Sequence, residues 1–258
     1  MDELIERQRA HFNDISAKYS SARKHPNHLL LKQLIWEKFL QSNSAIASEI
    51  KRVLEPMCGI AEGEGIVRKY WTKNFEYYGF DYSEAMVDQA RIQKPALTIE
   101  WNDVTRFRAP GELFDLIILI GGLHHVYSRA QEVLANLSVS LRPNGYFLSF
   151  EPTHDNWLTR RIRKRIYKKN DLFDEDTEQG FEYRDLDRYF RAAGYEKVDE
   201  VSPGLLAYVL YYNPDAFPTL NIGGRLLVNL IFAVDRIFWR NAIGRKLSFA
   251  TIGLWKRR

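Results

Sequence analysis

The chain has one cysteine, Cys58, among 258 residues. That excludes an intramolecular disulfide framework and any cysteine-rich zinc site. Long apolar runs are also missing. The longest uncharged stretch, Val201 to Pro214, falls short of the roughly 20 apolar residues that cross a bilayer, and it is interrupted by proline. The first residues alternate charged and apolar side chains, without the apolar block of a secretory leader. A large net charge is missing too. With 37 basic against 33 acidic residues the net is +4, too small an excess to argue for nucleic acid. Internal repeats and low-complexity tracts are absent. What is there is 45% hydrophobic, which supplies a sizeable core and excludes a disordered chain. The expectation is one cytoplasmic, reducing-compartment domain spanning 1–258.

Residues 1–50 read as an N-terminal helical cap, with Leu29-Leu30-Leu31, Leu34-Ile35 and Phe39-Leu40 recurring at helical spacing after Pro26. From Arg52 the pattern changes. Short apolar runs at Arg52–Glu55, Tyr77–Asp81, Leu97–Trp101, Phe114–Leu119 and Tyr146–Glu151 predict strands. Glu64–Tyr70, Ser83–Gln93 and Arg129–Leu141 between them predict helices. Such alternation implies a mostly parallel sheet covered on both faces. The unbroken apolar run Phe114–Leu119 suits a central strand, and Leu141-Arg142-Pro143-Asn144-Gly145 reads as a helix stop and turn. Beyond this 52–151 core come a basic helix and loop (156–183), a helix at Asp185–Ala193, and a strand at Tyr195–Val201. An apolar helical insert (203–247) and a final strand (248–256) close the chain.

The informative stretch is Arg52-Val53-Leu54-Glu55-Pro56-Met57-Cys58-Gly59-Ile60-Ala61-Glu62-Gly63-Glu64-Gly65. It is a strand ending in a carboxylate, a small-residue turn, and a helix, which together let a ligand approach backbone and helix N-terminus. A dinucleotide needs G-x-G-x-x-G, and both frames fail: Gly59 is followed by Ala61 and Glu64, and Gly63 by Gly65 and Arg68. A carboxylate before the turn also repels a pyrophosphate. It suits a ligand that carries positive charge near the loop.

At these residues the chain resembles the class I S-adenosylmethionine-dependent methyltransferases. Leu54-Glu55-Pro56-Met57-Cys58-Gly59 fits their first motif, and Gly79-Phe80-Asp81-Tyr82-Ser83-Glu84-Ala85-Met86 fits the Gly-x-Asp-x-Ser that follows the second strand. Asn102-Asp103 stands after the third strand, and Gly121-Gly122-Leu123-His124-His125 after the fourth. The resemblance covers roughly Val53 to Glu151 and the closing strands. It implies a Rossmann-like, doubly wound, mostly parallel seven-stranded sheet, with N-terminal helices and a helical insert before the last strand. It also implies S-adenosyl-L-methionine as cofactor, held by Glu55, Met57, Gly59, Asp81, Tyr82, Met86, Asn102, Asp103, Val104 and Ile120. In that set Glu55 lies on the amino-acid side, Asp81 takes the ribose hydroxyls, and Asp103 reaches the adenine amino group. N-terminal segments close over the cofactor in such proteins, which makes Tyr19, Arg23 and His28 the candidates for that closure here. The family often carries glycine where Met57 and Ala61 stand. A non-catalytic cofactor-binding module is the alternative those two positions motivate, with Ala61 small enough for the turn and Met57 able to pack beneath it.

Methyl transfer needs an acceptor held in line with the activated methyl group. A hydroxyl acceptor also needs a base, and neutral histidine is matched to that task near pH 7. His124, His125, Glu151 and His154 fall just beyond strands four and five, where an open parallel sheet binds its ligands, and are the candidate catalytic residues. No spacing supports a metal site. Within Trp157 to Lys169, seven basic residues fall in the ten positions from Arg160 to Lys169, with Leu158, Ile162 and Ile166 forming an apolar stripe. That pattern suits an anionic membrane surface. The insert, with apolar Leu205–Tyr212 and Leu226–Trp239, could serve as a lid over a greasy acceptor or as core-facing helix. The expected activity is O-methylation of a small-molecule, lipid-linked or glycan acceptor at a membrane surface. A soluble small-molecule or polysaccharide methyltransferase is the rival.

Overall fold

The computed structural model describes residues 3, 6–11, 13–14, 24–109, 111, 113–156, 159–161, 180–214, 219 and 221–258. Its strands are β1 (Arg52–Pro56), β2 (Glu76–Asp81), β3 (Thr98–Trp101), β4 (Phe114–Ile120), β5 (Leu141–His154), β6 (Phe181–Glu182), β7 (Tyr195–Val201) and β8 (Ala250–Arg257). Side by side they run β3-β2-β1-β4-β5-β8-β7, with β6 paired off this path to the end of β5. The neighbours from β3 to β5 are parallel, and β8 inserts antiparallel between β5 and β7. This is the expected doubly wound, Rossmann-like sheet of seven strands, with β6 as a short addition.

Strand periodicity explains how the sheet is covered. In β4, Leu116 and Ile118 point into one hydrophobic cluster and Ile117 and Leu119 into the other, all fully buried. The first cluster packs the sheet against the Pro26–Ser42 helix, and the second against the helices Ala130–Ser138 and Tyr183–Ala192. On that second face Phe190 stacks on Trp255 at 4.4 Å between ring centroids.

Most expected boundaries shift by a residue or two, and two elements change more. The helix expected at Arg129–Leu141 covers only Ala130–Ser138, preceded by 3-10 turns over Leu123–Arg129. The turn expected at Leu141–Gly145 lies inside β5: Leu141 already pairs with Phe114, and the register slips before Tyr146 pairs with Leu116. Asn144 takes φ 61°, so the sequence signal of a turn marks a bulge here.

Among its described residues the insert carries three helical pieces: a π-helical turn at Tyr208–Tyr212 and helices Arg225–Arg236 and Ala242–Leu247. Tyr211, Val228, Phe232 and Trp239 are buried in one cluster with Leu31, Ile35 and Phe39 of the N-terminal helix. Its inner face is therefore core. Among the described residues no helix is long and apolar enough to cross a membrane. Most of the basic Trp157–Lys169 segment lies outside the described residues, as do Tyr19 and Arg23.

Candidate functional site

The sheet order reverses between β1 and β4, and a ligand crevice forms where neighbouring connections leave in opposite directions. A cavity of about 1020 Å³, open mouth included, lies there, lined by residues from the ends of β1, β2, β3 and β4. All ten expected cofactor contacts line it: Glu55, Met57, Gly59, Asp81, Tyr82, Met86, Asn102, Asp103, Val104 and Ile120. Of the four expected catalytic residues only His125 does.

The first turn is built around the Glu55 carboxylate. The Gly63 N–H donates to its Oε1 at 2.8 Å, the Glu64 N–H to its Oε2 at 3.1 Å, and the Tyr77 hydroxyl to Oε2 at 2.7 Å. The carboxylate thus satisfies the first amides of the Glu62–Tyr70 helix, a position where the helix dipole favours negative charge. Burial still pushes its pKa up to about 7. Glu55 lines the cavity, yet its acceptor capacity is directed at the helix rather than at a ligand. A Cβ on Gly63 would sit 2.8 Å from the Glu55 carboxyl carbon, so this packing requires glycine. In the turn itself Met57, Gly59 and Ala61 all take left-handed backbone, at φ 53°, 52° and 60°. Two of the three are the positions where the resembled family often has glycine. The feature they share is backbone conformation rather than size, and a non-glycine residue there costs roughly 1 kcal/mol. Met57 does not pack beneath the turn. It lines the cavity, with its side chain against Gly122.

Asp81 at the end of β2 accepts from the Gly59 N–H at 2.8 Å and from the Ser83 N–H at 2.9 Å. It ties the β1 turn to the β2 turn, and burial raises its pKa. Ser83 caps the Glu84–Gln93 helix by accepting from the Met86 N–H. Tyr82 stacks on Trp101 at 5.6 Å. Asp103 accepts the Thr105 N–H and hydroxyl at one oxygen, both at 2.8 Å.

This lining fits an adenosyl ligand. Asp81 and Asp103 bring carboxylates to the wall, Met86, Val104 and Ile120 give an apolar slot, and a Cβ on Gly59 would meet nothing within 4 Å. The turn thus presents open backbone to the cavity.

The fourth-strand end separates the adjacent histidines. Glu151 is buried, and its carboxylate accepts the backbone N–H groups of Gly122 (3.1 Å), Leu123 (2.9 Å) and His124 (3.3 Å). His124 Nδ1 lies 3.0 Å from the same carboxylate. Burial pushes Glu151 up to about 8 against these donors. His124 and Glu151 therefore lie behind the cavity wall and hold the turn in place. His154 sits at the last position of β5, paired in register with Glu182 of β6, away from the lining. His28 points to the insert, its Nδ1 2.6 Å from the Tyr212 carbonyl oxygen.

His125 faces the cavity. Burial and the neighbouring His124 hold its pKa well below the usual histidine value of 6.5, so it is neutral at pH 7. Its Nδ1 lies 2.7 Å from the side-chain amide nitrogen of Gln8. That nitrogen can only donate, so Nδ1 is the ring's acceptor in this state. Gln8 and Arg9 complete the lining. Arg9 pairs with Glu84 at 2.7 Å, and the Tyr82 hydroxyl donates to Glu6, pinning the helical 6–11 segment over the cavity. The N-terminal closure over the cavity is thus made by Gln8 and Arg9, whereas His28 turns to the insert and Tyr19 and Arg23 lie outside the described residues. No pattern in residues 6–11 distinguishes Gln8 and Arg9 from an ordinary charged helix.

Residues 58–149 match the model of a methyltransferase domain family. No curated protein sequence matches the chain. Many solved structures are similar to the chain, and three of them illustrate the match. Magnesium protoporphyrin IX methyltransferase from Synechocystis PCC 6803, with bound SAH, is 13% identical over 97% of this chain and 98% of that one, with a TM-score of 0.61. A Thermotoga maritima protein described as a possible histamine N-methyltransferase is 15% identical over 96% and 99%, with a TM-score of 0.62. The O-methyltransferase of a Brevibacillus brevis polyketide synthase, complexed with S-adenosyl-L-homocysteine, is 13% identical over 84% and 71%, with a TM-score of 0.56.

Proposed function

We propose that the chain is a class I S-adenosylmethionine-dependent methyltransferase, a reading supported by the match of residues 58–149 to a methyltransferase domain family, and that it methylates an oxygen of an amphipathic or lipid-linked acceptor at a membrane surface, with His125 as general base. The cofactor, when bound, supplies a methyl group already activated on a sulfonium. The chain's own residues then have two tasks, to hold the acceptor and to remove its proton.

The observation that carries the reading is the Nδ1 of His125, neutral and exposing a lone pair to the cavity where it now accepts from Gln8. An acceptor hydroxyl entering at that point replaces the Gln8 amide and gives its proton to Nδ1. An amine acceptor in its free-base form needs no such group, which favours oxygen. Burial keeps the imidazole neutral, and so able to take a proton at pH 7, while making it a weaker base than a solvated imidazole. Met57, Ile120 and Val126 supply an apolar wall beside it, and this favours an acceptor with apolar character. Asp81 and Asp103 would hold the sugar and base of the cofactor, and Glu55 would act through the shape of the first turn.

Titration calorimetry with S-adenosylhomocysteine, followed by product formation over a panel of hydroxylated acceptors, tests this. Binding with turnover that collapses in His125→Ala is the expected result. Binding without turnover on any acceptor would reduce the chain to a cofactor-binding module.

A further inference from the structure

The Arg225–Arg236 helix is apolar on two opposite sides. Val228, Phe232 and Asp235 face the core. Leu226, Leu230 and Ile237 recur on the other side at helical spacing and stand 88%, 63% and 71% exposed. Val234 on the same helix, and Ile222 and Ile243 on either side of it in the chain, are exposed apolar side chains as well. A helix hydrophobic all round is ordinarily buried, so this outer row calls for a covering phase.

The charges beside it indicate which phase. Between Thr219 and Leu247 the only acidic residue is Asp235, which is buried and accepts the Ala207 N–H at 2.6 Å. The basic residues of the same stretch are Arg225, Arg236, Arg240, Arg245 and Lys246. Arg240 is paired with Asp199, and Arg245 lies over the Tyr183 ring. Arg225, Arg236 and Lys246 form no ion pair among the described residues, and Arg225 and Arg236 fall on one flank of the apolar row. A second copy of the chain on this face would bring those cations against each other with no carboxylate to meet them. An anionic bilayer meets both features at once, because acyl chains take the leucines and phosphate headgroups the arginines.

We propose that the outer face of the Arg225–Arg236 helix, with Ile222 and Ile243, is the surface by which the protein docks on an anionic lipid bilayer. This deepens the acceptor reading above and rests on it only for its purpose. The insert that carries this helix also touches the site's wall: its Tyr212 packs on Phe150 at 5.5 Å, and Phe150 pairs in register with Ile120 of the cavity.

Co-sedimentation of the full chain with phosphatidylcholine vesicles, with and without phosphatidylglycerol, tests the docking face. The wild type is expected to pellet only with phosphatidylglycerol, and less so as salt rises. Leu226→Gln/Leu230→Gln/Ile237→Gln is expected to lower partitioning by roughly tenfold or more. Arg225→Gln/Arg236→Gln is expected to lower it and flatten its salt dependence. Both variants keep the Trp157–Lys169 segment, so wild-type pelleting by the triple variant overturns the proposal. It is equally overturned by equal binding to neutral vesicles, or by a lipid-independent dimer that the triple variant dissolves. S-adenosylhomocysteine affinity is measured in parallel on all three proteins. Retained affinity certifies the fold, and its absence from the wild type refutes the cofactor reading without touching the vesicle result.

Discussion

The carboxylate of Glu151 reaches 3.0 Å from His124 Nδ1 while accepting three successive backbone amides, those of Gly122, Leu123 and His124. One side chain on β5 thereby fixes the turn after β4, and with it the direction in which the next residue, His125, points. Glu151 is a positioning residue. Its removal leaves buried donors unsatisfied, at roughly 1–3 kcal/mol for each that finds no water.

Glu151→Ala is therefore expected to lower unfolding free energy by about 3 kcal/mol or more in chemical denaturation, with Glu151→Gln costing less. The pH dependence has a definite sign. Burial raises the folded-state pKa from 4.5 to about 8, so the folded state retains a proton that the unfolded chain releases. This contribution is complete below pH 4.5 and is lost as pH rises toward 8. Subtracting the stability–pH curve of Glu151→Gln from that of the wild type isolates the slope. A flat difference over that window refutes it.

His125→Ala is expected to lower kcat by roughly 10²–10⁴-fold, with S-adenosylhomocysteine affinity changed only a few-fold. Because burial and His124 hold the His125 pKa well below 6.5, the acid limb of kcat/KM should have its midpoint under that pH. Gln8→Ala, which removes a donor competing for the same lone pair, should lower the acceptor KM. An acid limb at or above 6.5 would remove His125 as the base.

Gly63→Ala reverses an ordinary rule. Alanine in a helix usually gains about 1 kcal/mol over glycine. Here the new Cβ meets the Glu55 carboxyl at 2.8 Å. The expected outcome is a loss of roughly 1–3 kcal/mol and weaker cofactor binding, read by thermal unfolding and calorimetry. A stabilised variant would mean that Glu55 moves freely.

Asp81→Ala should weaken S-adenosylhomocysteine binding by roughly 100-fold, the worth of two charge-assisted hydrogen bonds. Asp81→Asn should lose less, because an amide oxygen can still accept from Gly59 or Ser83. Calorimetry reads both, and unchanged affinity in Asp81→Ala would take the ribose contact away from this residue.

Much of the core could be read in the chain because its signals are local. The alternation of apolar runs with amphipathic segments placed β1 to β4 to within a residue or two. The Glu55 turn, Asp81 and Asn102-Asp103 each follow a strand end, which is where a parallel sheet gathers its ligand groups. Local signals failed where two conformations share them. Leu141 to Gly145 carries turn chemistry, and a bulge inside a strand uses the same residues. Met57 and Ala61 could be weighed only by size, since a sequence does not print φ.

The amino-acid sequence by itself determined the strands of the core, their alternation with helices and the set of side chains delivered to the strand ends, because periodicity and strand-end position are properties of neighbouring residues. Only the tertiary structure decided between His124 and His125. Adjacent residues on a tight turn point in different directions, and a carboxylate 27 positions away in the chain selected which one turns inward. It also brought Gln8 to His125 across 117 positions and left one side of the Arg225–Arg236 helix uncovered. Contacts at such separations follow from how whole elements pack, and no local pattern encodes them.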